Sequence, residues 1–205
     1  MDDTPQTFWD CVYAGKTKPS GGRPSFTLTH FIEGRPKGRA LELGCARGDD
    51  AIWLAQQGWT VTGVDISEAA LEAARLAASS AGVESSVHFE RHDLSESFPQ
   101  GSFDLVIAMF LQSPIPFGRT EALRRAAQAV ETGGLLLLVT HGSRAPWSWS
   151  DPEIVFPTAD AEMADLALDP TAWREVFVGS MPRTAFGPAG EQATILDTIV
   201  AIERR

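Results

Sequence analysis

Residues Arg39 to Ser67 read RALELGCARGDDAIWLAQQGWTVTGVDIS, and the order of residue types in this stretch sets the expectation for the whole fold. Ala40 to Leu43 is a short apolar run of the kind buried in a parallel strand. It breaks at Gly44 and Gly48, where a backbone without side chains lets a ligand come close. A helical pattern follows and stops at Gly58, and a second strand closes on Asp65. A carboxylate ~20 residues beyond such a turn is placed to take a ribose diol. Strand, glycine turn, helix, strand and acid together predict a βαβ unit that binds an adenosine-type cofactor.

Charge narrows the cofactor. Dinucleotide sites space their glycines G-x-G-x-x-G, the third packing helix on strand. Here Gly44 is followed by Ala46 and Gly48, and Asp49 stands where the third glycine belongs. Glu42, Asp49 and Asp50 also put carboxylates where a pyrophosphate needs amide donors and the positive end of a helix. A nicotinamide-dependent reductase is therefore disfavoured. S-adenosylmethionine carries a sulfonium, an ammonium and a carboxylate but no phosphate, so an acidic turn suits it. Glu42 reads as facing its ammonium end.

The run Glu42-Leu43-Gly44-Cys45-Ala46-Arg47-Gly48 resembles the E-x-G-x-G-x-G first motif of class I S-adenosylmethionine-dependent methyltransferases. Asp50 to Ala70 resembles small bacterial members related to the tellurite-resistance and thiopurine methyltransferase branches. The likeness takes in Phe8-Trp9, Tyr13, Gly22-Arg23-Pro24, Asp93-Leu94, Phe103 to Ala108, Gly133-Gly134 and the ending Arg204-Arg205. The chain departs from the pattern at Ala46, which replaces the middle glycine, and at Glu131-Thr132, which replaces the proline usual before the later Gly-Gly. Alanine adds one methyl, and the loop is expected to keep its shape provided residue 46 avoids positive φ.

The remaining chain alternates strand and helix. Ser67 is read as the cap of a helix with Ala70, Leu71, Ala74 and Leu76 to Ala77 on one stripe, ended by Gly82. Ser86 to Arg91, Phe103 to Ala108 and Gly134 to Thr140 read as the third to fifth strands, with a helix over Thr120 to Val130. Such alternation predicts a doubly wound α/β fold with a mostly parallel sheet. Trp173 to Val178 and Thr194 to Ile202 then read as two strands joined by a Pro- and Gly-rich loop without a helix, hence an antiparallel C-terminal hairpin at one edge. The sheet should have seven strands, the Rossmann-like methyltransferase fold that the resemblance implies. One domain is expected: residues 1–35 as an N-terminal lid, 36–140 as the cofactor-binding core, and 141–205 as substrate insertion and edge strands.

The chain has 205 residues, 17 basic and 27 acidic, a formal charge of −10. That balance argues against nucleic acid and anionic lipid as partners. No apolar run is long enough to span a bilayer, and the start lacks the basic end and apolar core of an export signal, so a cytoplasmic protein, monomer or homodimer, is expected. Cys11 and Cys45 suggest neither a disulfide framework nor a metal site, and no metal is expected.

Strand ends place the site. Ligands of open α/β sheets lie beyond the carboxyl ends of the strands, so the Gly44, Cys45, Ala46 and Gly48 turn, Asp65 with Ile66, His92-Asp93-Leu94, and Ala108-Met109 should converge. The resemblance implies that Asp65 binds the ribose hydroxyls, Ile66 packs on adenine, Asp93 takes the adenine amino group and Leu94 offers its backbone amide. Asp65 can alternatively be only a helix cap, and His92-Asp93 only a turn. Trp9 and Tyr13, four apart, share one face if helical and resemble the aromatic pair that covers the cofactor in related enzymes; simple packing on the core is the other reading. Lys16 to Arg23 reads as mobile before ligand binds.

Methyl transfer from a sulfonium is an in-line displacement on an activated carbon, so holding the acceptor near ~3 Å supplies much of the rate. A base helps where the acceptor is a hydroxyl. His141, directly after the fifth strand, is the base candidate, or else a loop hydrogen-bonder. His30 and His88 lie in apolar helix and strand patterns and read as structural. Gln112 can orient an acceptor or cap the Ser113-Pro114 turn. Phe110, Trp147 and Trp149, with Phe117 and Phe156 available, suit an apolar pocket for a small planar molecule, or cover the sheet edge. The chain lacks an Asn/Asp-Pro-Pro-Tyr run after its fourth strand, which argues against an amino-group methylase of DNA or protein glutamine. The reading is transfer of a methyl group to a small molecule. Its alternatives are cyclisation or lyase cleavage of S-adenosylmethionine, and a non-catalytic module that binds it.

Overall fold

Near-continuous apolar runs in the central strands, buried on both faces, seat the elements. The computed structural model describes residues 4–14, 23–148, 153 and 155–205. Their order is α1 (Pro5–Tyr13), α2 (Phe26–Ile32), β1 (Arg39–Leu43), α3 (Asp49–Gln56), β2 (Thr60–Asp65), α4 (Glu68–Ser80) and β3 (Val87–Arg91). Then come β4 (Phe103–Met109), α5 (Arg119–Gln128), β5 (Val130–His141), α6 (Ala159–Leu166), β6 (Trp173–Phe186) and β7 (Gln192–Arg204). The seven strands form one sheet in the order β3-β2-β1-β4-β5-β7-β6. Strands β1 to β5 pair in parallel, whereas β7 runs antiparallel to both β5 and β6. The doubly wound, seven-stranded sheet with an antiparallel C-terminal hairpin is thus the observed fold.

Successive side chains of a strand face opposite sides, and the two sides carry separate cores. Ala40, Val61, Leu105, Leu135 and Leu137 pack under α2, α3 and α4. Leu41, Leu43, Val106, Leu136 and Leu138 pack under α5 and α6. Leu105 and Leu135 are fully buried, and cutting either to alanine should cost ~2–5 kcal/mol. Ser25, Ser67 and Thr158 cap α2, α4 and α6 by accepting the amides of Leu28, Ala70 and Ala161.

Several boundaries differ from expectation. Val130 is not the end of a helix: α5 stops at Gln128, and the Phe103 amide donates to the Ala129 carbonyl at 2.8 Å, which starts Val130 in the sheet opposite Phe103. On α4 the buried stripe is Ala70, Leu71, Ala74 and Ala78, and Leu76 faces solvent. β6 runs on to Phe186, so the region read as a loop is mostly strand. It tolerates Pro182 because β6 is an edge strand, with one side free of ladder bonds. α6 was not expected; it is short, and its signal is the Thr158 cap followed by Asp160 and Glu162 in the first turn. His30 and His88 are exposed rather than packed in either core.

Candidate active site

The carboxyl ends of β1 to β4 open into one cleft. Gly44, Asp65, Ile66, His92, Asp93, Leu94 and the segment Phe110 to Ser113 line it, with Phe117 beyond, and Pro5, Trp9 and Tyr13 of α1 cover it. The helix is tied down at its middle. Asp10 Oδ1 accepts from Ser67 Oγ at 2.7 Å and from the Ala69 amide at 3.3 Å, so Asp10 acts as a second cap on α4. Trp9 and Tyr13 stack with ring centroids 6.0 Å apart.

Asp65 organises the centre. Its Oδ2 accepts the Ala46 amide and its Oδ1 the Ser67 amide, both at 2.9 Å. Burial raises its pKa, while the amides of Ser67, Ala46 and Ile66 pull it down. Each oxygen retains a lone pair for a ligand hydroxyl. The bond from Ala46 also answers the question of the missing glycine: Ala46 does take positive φ, at 48°, contrary to the condition set for it, and Asp65 holds it there. Tyr13, beside Asp65, has its pKa pushed up to about 12, first by burial and then by that carboxylate.

Beneath the turn lies a second acidic group. Glu42 is 4% exposed and its Oε2 has no hydrogen-bond partner. Burial, then Asp50, drives its pKa well above the ordinary carboxylate range. Asp50 itself is pushed up to about 6 by burial, although the Ser25 amide, donating to its Oδ1 at 2.6 Å, works the other way. Two buried carboxyls, one with an orphaned oxygen, fit a ligand that brings positive charge and no phosphate.

The fourth strand end departs from expectation. Ala108 and Met109 are buried and do not line the cleft; the chain turns at Phe110, with φ 57°, and Phe110 to Ser113 form the wall instead. Cys45, Ala46 and Gly48 form the turn behind Gly44, and only Gly44 of the first motif faces the cleft. Glu42 lies under the turn rather than in the lining. His92 lines the cleft with both ring nitrogens engaged, Nδ1 with Ser97 Oγ and Nε2 with Glu90. Asp93 both lines it and makes a turn, accepting the Ser95 amide at 2.9 Å.

A second, open cleft of about 810 Å³ adjoins the first and shares Trp9, Phe110, Gln112 and Ser113 with it. Trp147, Phe156 and Phe186 give it aromatic walls, and His141, Arg144 and Arg183 its polar side. His141 stacks on Phe110 with centroids 4.6 Å apart, and its amide donates to Gln112 Oε1 at 3.4 Å. Trp149 lies outside the described residues, as does most of the segment Lys16 to Arg23. Asp10, Leu111, Arg183 and Asp197 were missed in the sequence, whereas Asp50 was read there as part of the acidic turn. None of the missed residues stands in a motif, and each is brought in by tertiary pairing. Among the described residues no group of three or more His, Cys, Asp or Glu is arranged to hold a metal ion, and no helix there is long and apolar enough to cross a membrane.

The family model for a methyltransferase domain matches residues 40–134, the stretch from β1 to the start of β5 that builds the first cleft. Over that stretch, a little under half of its length, the chain is similar to a methyltransferase domain. It is 38% identical over 113 residues to 27-O-demethylrifamycin SV methyltransferase of Amycolatopsis mediterranei (strain S699), an alignment covering 54% of this chain and 41% of that protein. The chain spans about half or less of the length of the first curated methyltransferases it matches. A solved structure from work on conversion of a disulfide bond into a thioacetal group during echinomycin biosynthesis superposes with a TM-score of 0.74 at 24% identity, covering 98% of this chain and 92% of that one. The glycopeptide N-methyltransferase MtfA, solved with S-adenosylmethionine, superposes at 0.62 and 17% identity over 87% and 92% of the two chains. Both likenesses concern the methyltransferase fold.

Proposed function

We propose that this protein transfers a methyl group from S-adenosylmethionine to a small, largely apolar molecule. The observation that carries the reading is the shared wall: Trp9, Phe110, Gln112 and Ser113 face both clefts, so a donor in one and an acceptor in the other meet across a single segment. Asp65 holds the ribose, Ile66 packs on adenine, and Asp93 and Leu94 take its polar edge. Asp50 supplies negative charge beneath the turn that favours the amino end, and the bare Glu42 Oε2 offers that end an acceptor. Trp9 and Tyr13 cover the nucleoside as a lid and exclude water. When bound, the cofactor supplies a methyl group already activated by sulfonium. The chain's contribution is to hold the acceptor in line, with Trp147 and Phe156 gripping its apolar body, Gln112 orienting it and His141 placed to take a proton.

A thermal melt with S-adenosylhomocysteine, S-adenosylmethionine and NAD tests the donor assignment. A ligand at ~100 times its dissociation constant stabilises by ~2.7 kcal/mol, or roughly 5 to 11 °C for a chain of this length. The two adenosyl compounds should give that shift and NAD none. Asp65→Asn, which keeps one amide-accepting oxygen, should remove most of it; an undiminished shift would refute the ribose role. Mass spectrometry of the products then separates methyl transfer from cleavage of the donor itself.

A further inference from the structure

His141 ends β5, and in the antiparallel register its direct partner on β7 is Asp197. Asp197 is 1% exposed, yet only half of its carboxylate is used: Oδ2 accepts from Arg183 Nε at 2.7 Å, and Oδ1 has no hydrogen-bond partner. An ion pair to Arg183 needs one oxygen, and leaving the second buried and bare is costly. The group that faces it across the strand pair is the imidazole. Arg183 also lies over the Phe110 ring, 5.5 Å from its centroid, and Phe110 stacks on His141, so three strands deliver Asp197, Arg183 and His141 to one aromatic ring that borders the cofactor cleft.

Resting on the methyl-transfer reading above, we infer that the accepting atom is a hydroxyl oxygen, phenolic or enolic, on an apolar body, with His141 as its general base and Asp197 as the positioning residue that receives the imidazolium. In the step, the acceptor O–H proton passes to a ring nitrogen of His141. The freed oxygen electron pair forms the O–CH₃ bond as the S–CH₃ bond breaks, and that pair stays on sulfur. The positive charge of the sulfonium thereby leaves as imidazolium, and the products are a neutral methyl ether and a thioether. A thiolate or a halide needs no such base, so the pair would be idle with either.

The charge environment agrees. Burial, then Arg183, lowers the His141 pKa while Asp197 raises it, so the ring starts neutral at physiological pH and is competent to accept. Arg144, from the loop after β5, faces the same cleft. The orphaned Oδ1 of Asp197 becomes useful once the ring is charged.

The test uses a matched pair on the full-length protein: 2-naphthol and 2-naphthalenethiol share an apolar body and differ only in the accepting atom. His141→Gln should lower methylation of the naphthol on the order of 10²-fold or more and leave the largely ionised thiol near wild type. Asp197→Asn keeps an oxygen for Arg183 and replaces the bare one by an amide. It should lower kcat on the naphthol with little change in KM, and NMR of the chain's four histidines should show His141 titrating at lower pH than in wild type. Binding of S-adenosylhomocysteine should match wild type in both variants. Equal losses on both acceptors, an unmoved His141 titration, or turnover of the thiol without the naphthol would overturn the inference. Failure of both acceptors in a protein that binds the cofactor counts instead against methyl transfer itself, and falsifies this inference with it.

Discussion

Leu111 stands over Gly44: a Cβ built on that glycine would come within 2.7 Å of Leu111 Cδ1. The first-motif glycine therefore has a neighbour across the cleft as well as a backbone that needs φ of +70°. Leu111 therefore narrows the cleft directly above the first-motif glycine.

Gly44→Ala should accordingly cost ~1–3 kcal/mol in stability from the positive φ and the crowding together, and should weaken S-adenosylhomocysteine at least tenfold. Adding Leu111→Ala relieves only the crowding. The double variant is expected to recover part of the melting midpoint while the strain remains, and full additivity of the two changes would mean that the residues do not interact.

Asp10→Ala tests whether α1 is held as a lid. The carboxylate caps α4 through Ser67 and Ala69, so its loss should cost ~1 kcal/mol and free α1 in preference to the sheet. Hydrogen exchange should accelerate in Pro5–Tyr13 with the β1 to β5 amides unchanged, and cofactor should bind roughly fivefold more weakly. Uniform acceleration throughout the chain would show that Asp10 supports the whole fold instead.

The parts of the site legible in the sequence are those fixed by short-range geometry. Asp65, Ile66, Asp93 and Leu94 follow strand ends, and a strand end is read from a break in an apolar run. Ala108 and Met109 were misplaced by two residues because nothing in Ala-Met-Phe-Leu marks where the strand stops. Phe110 leaves it in a left-handed conformation that its sequence does not announce. Asp197 shows the other limit. It lies within an apolar β7 and could be any edge-strand polar residue until register sets it opposite His141. The helix-to-strand change at Val130 was hidden for a related reason, since valine suits either state and its pairing with Phe103 decides.

Asp50 gives the site a pH dependence with a defined sign. Its pKa is about 6 in the fold against 3.8 ordinarily, so between those values the folded state binds the extra proton. Stability from this group is full below pH ~4 and is lost as pH rises through 6, by about 3 kcal/mol at most. Asp50→Asn keeps an oxygen for the Ser25 amide and removes the charge. It should raise the melting midpoint at pH 7.5 and leave it nearly unchanged at pH 4.5, while weakening S-adenosylmethionine at the higher pH. A variant that melts below wild type at pH 7.5 would show that the buried charge is compensated by a group other than the ligand.

Trp147 distinguishes the two clefts. It packs against the β6–β7 turn, where a Cβ on Gly187 would come within 2.8 Å of its ring, so the indole is fixed from behind and presents its other side to the larger cleft. It does not line the cofactor cleft. Removing an aromatic wall typically forfeits ~0.5–1.5 kcal/mol of ring contact beyond its area, a factor of about 2 to 12. Trp147→Ala should therefore weaken 2-naphthol by that factor or more in a fluorescence or calorimetric titration, with S-adenosylhomocysteine unchanged. Equal losses for both ligands would mean that the loop after β5 shapes the cofactor cleft as well, and that the division of the site into donor and acceptor halves at Phe110 is wrong.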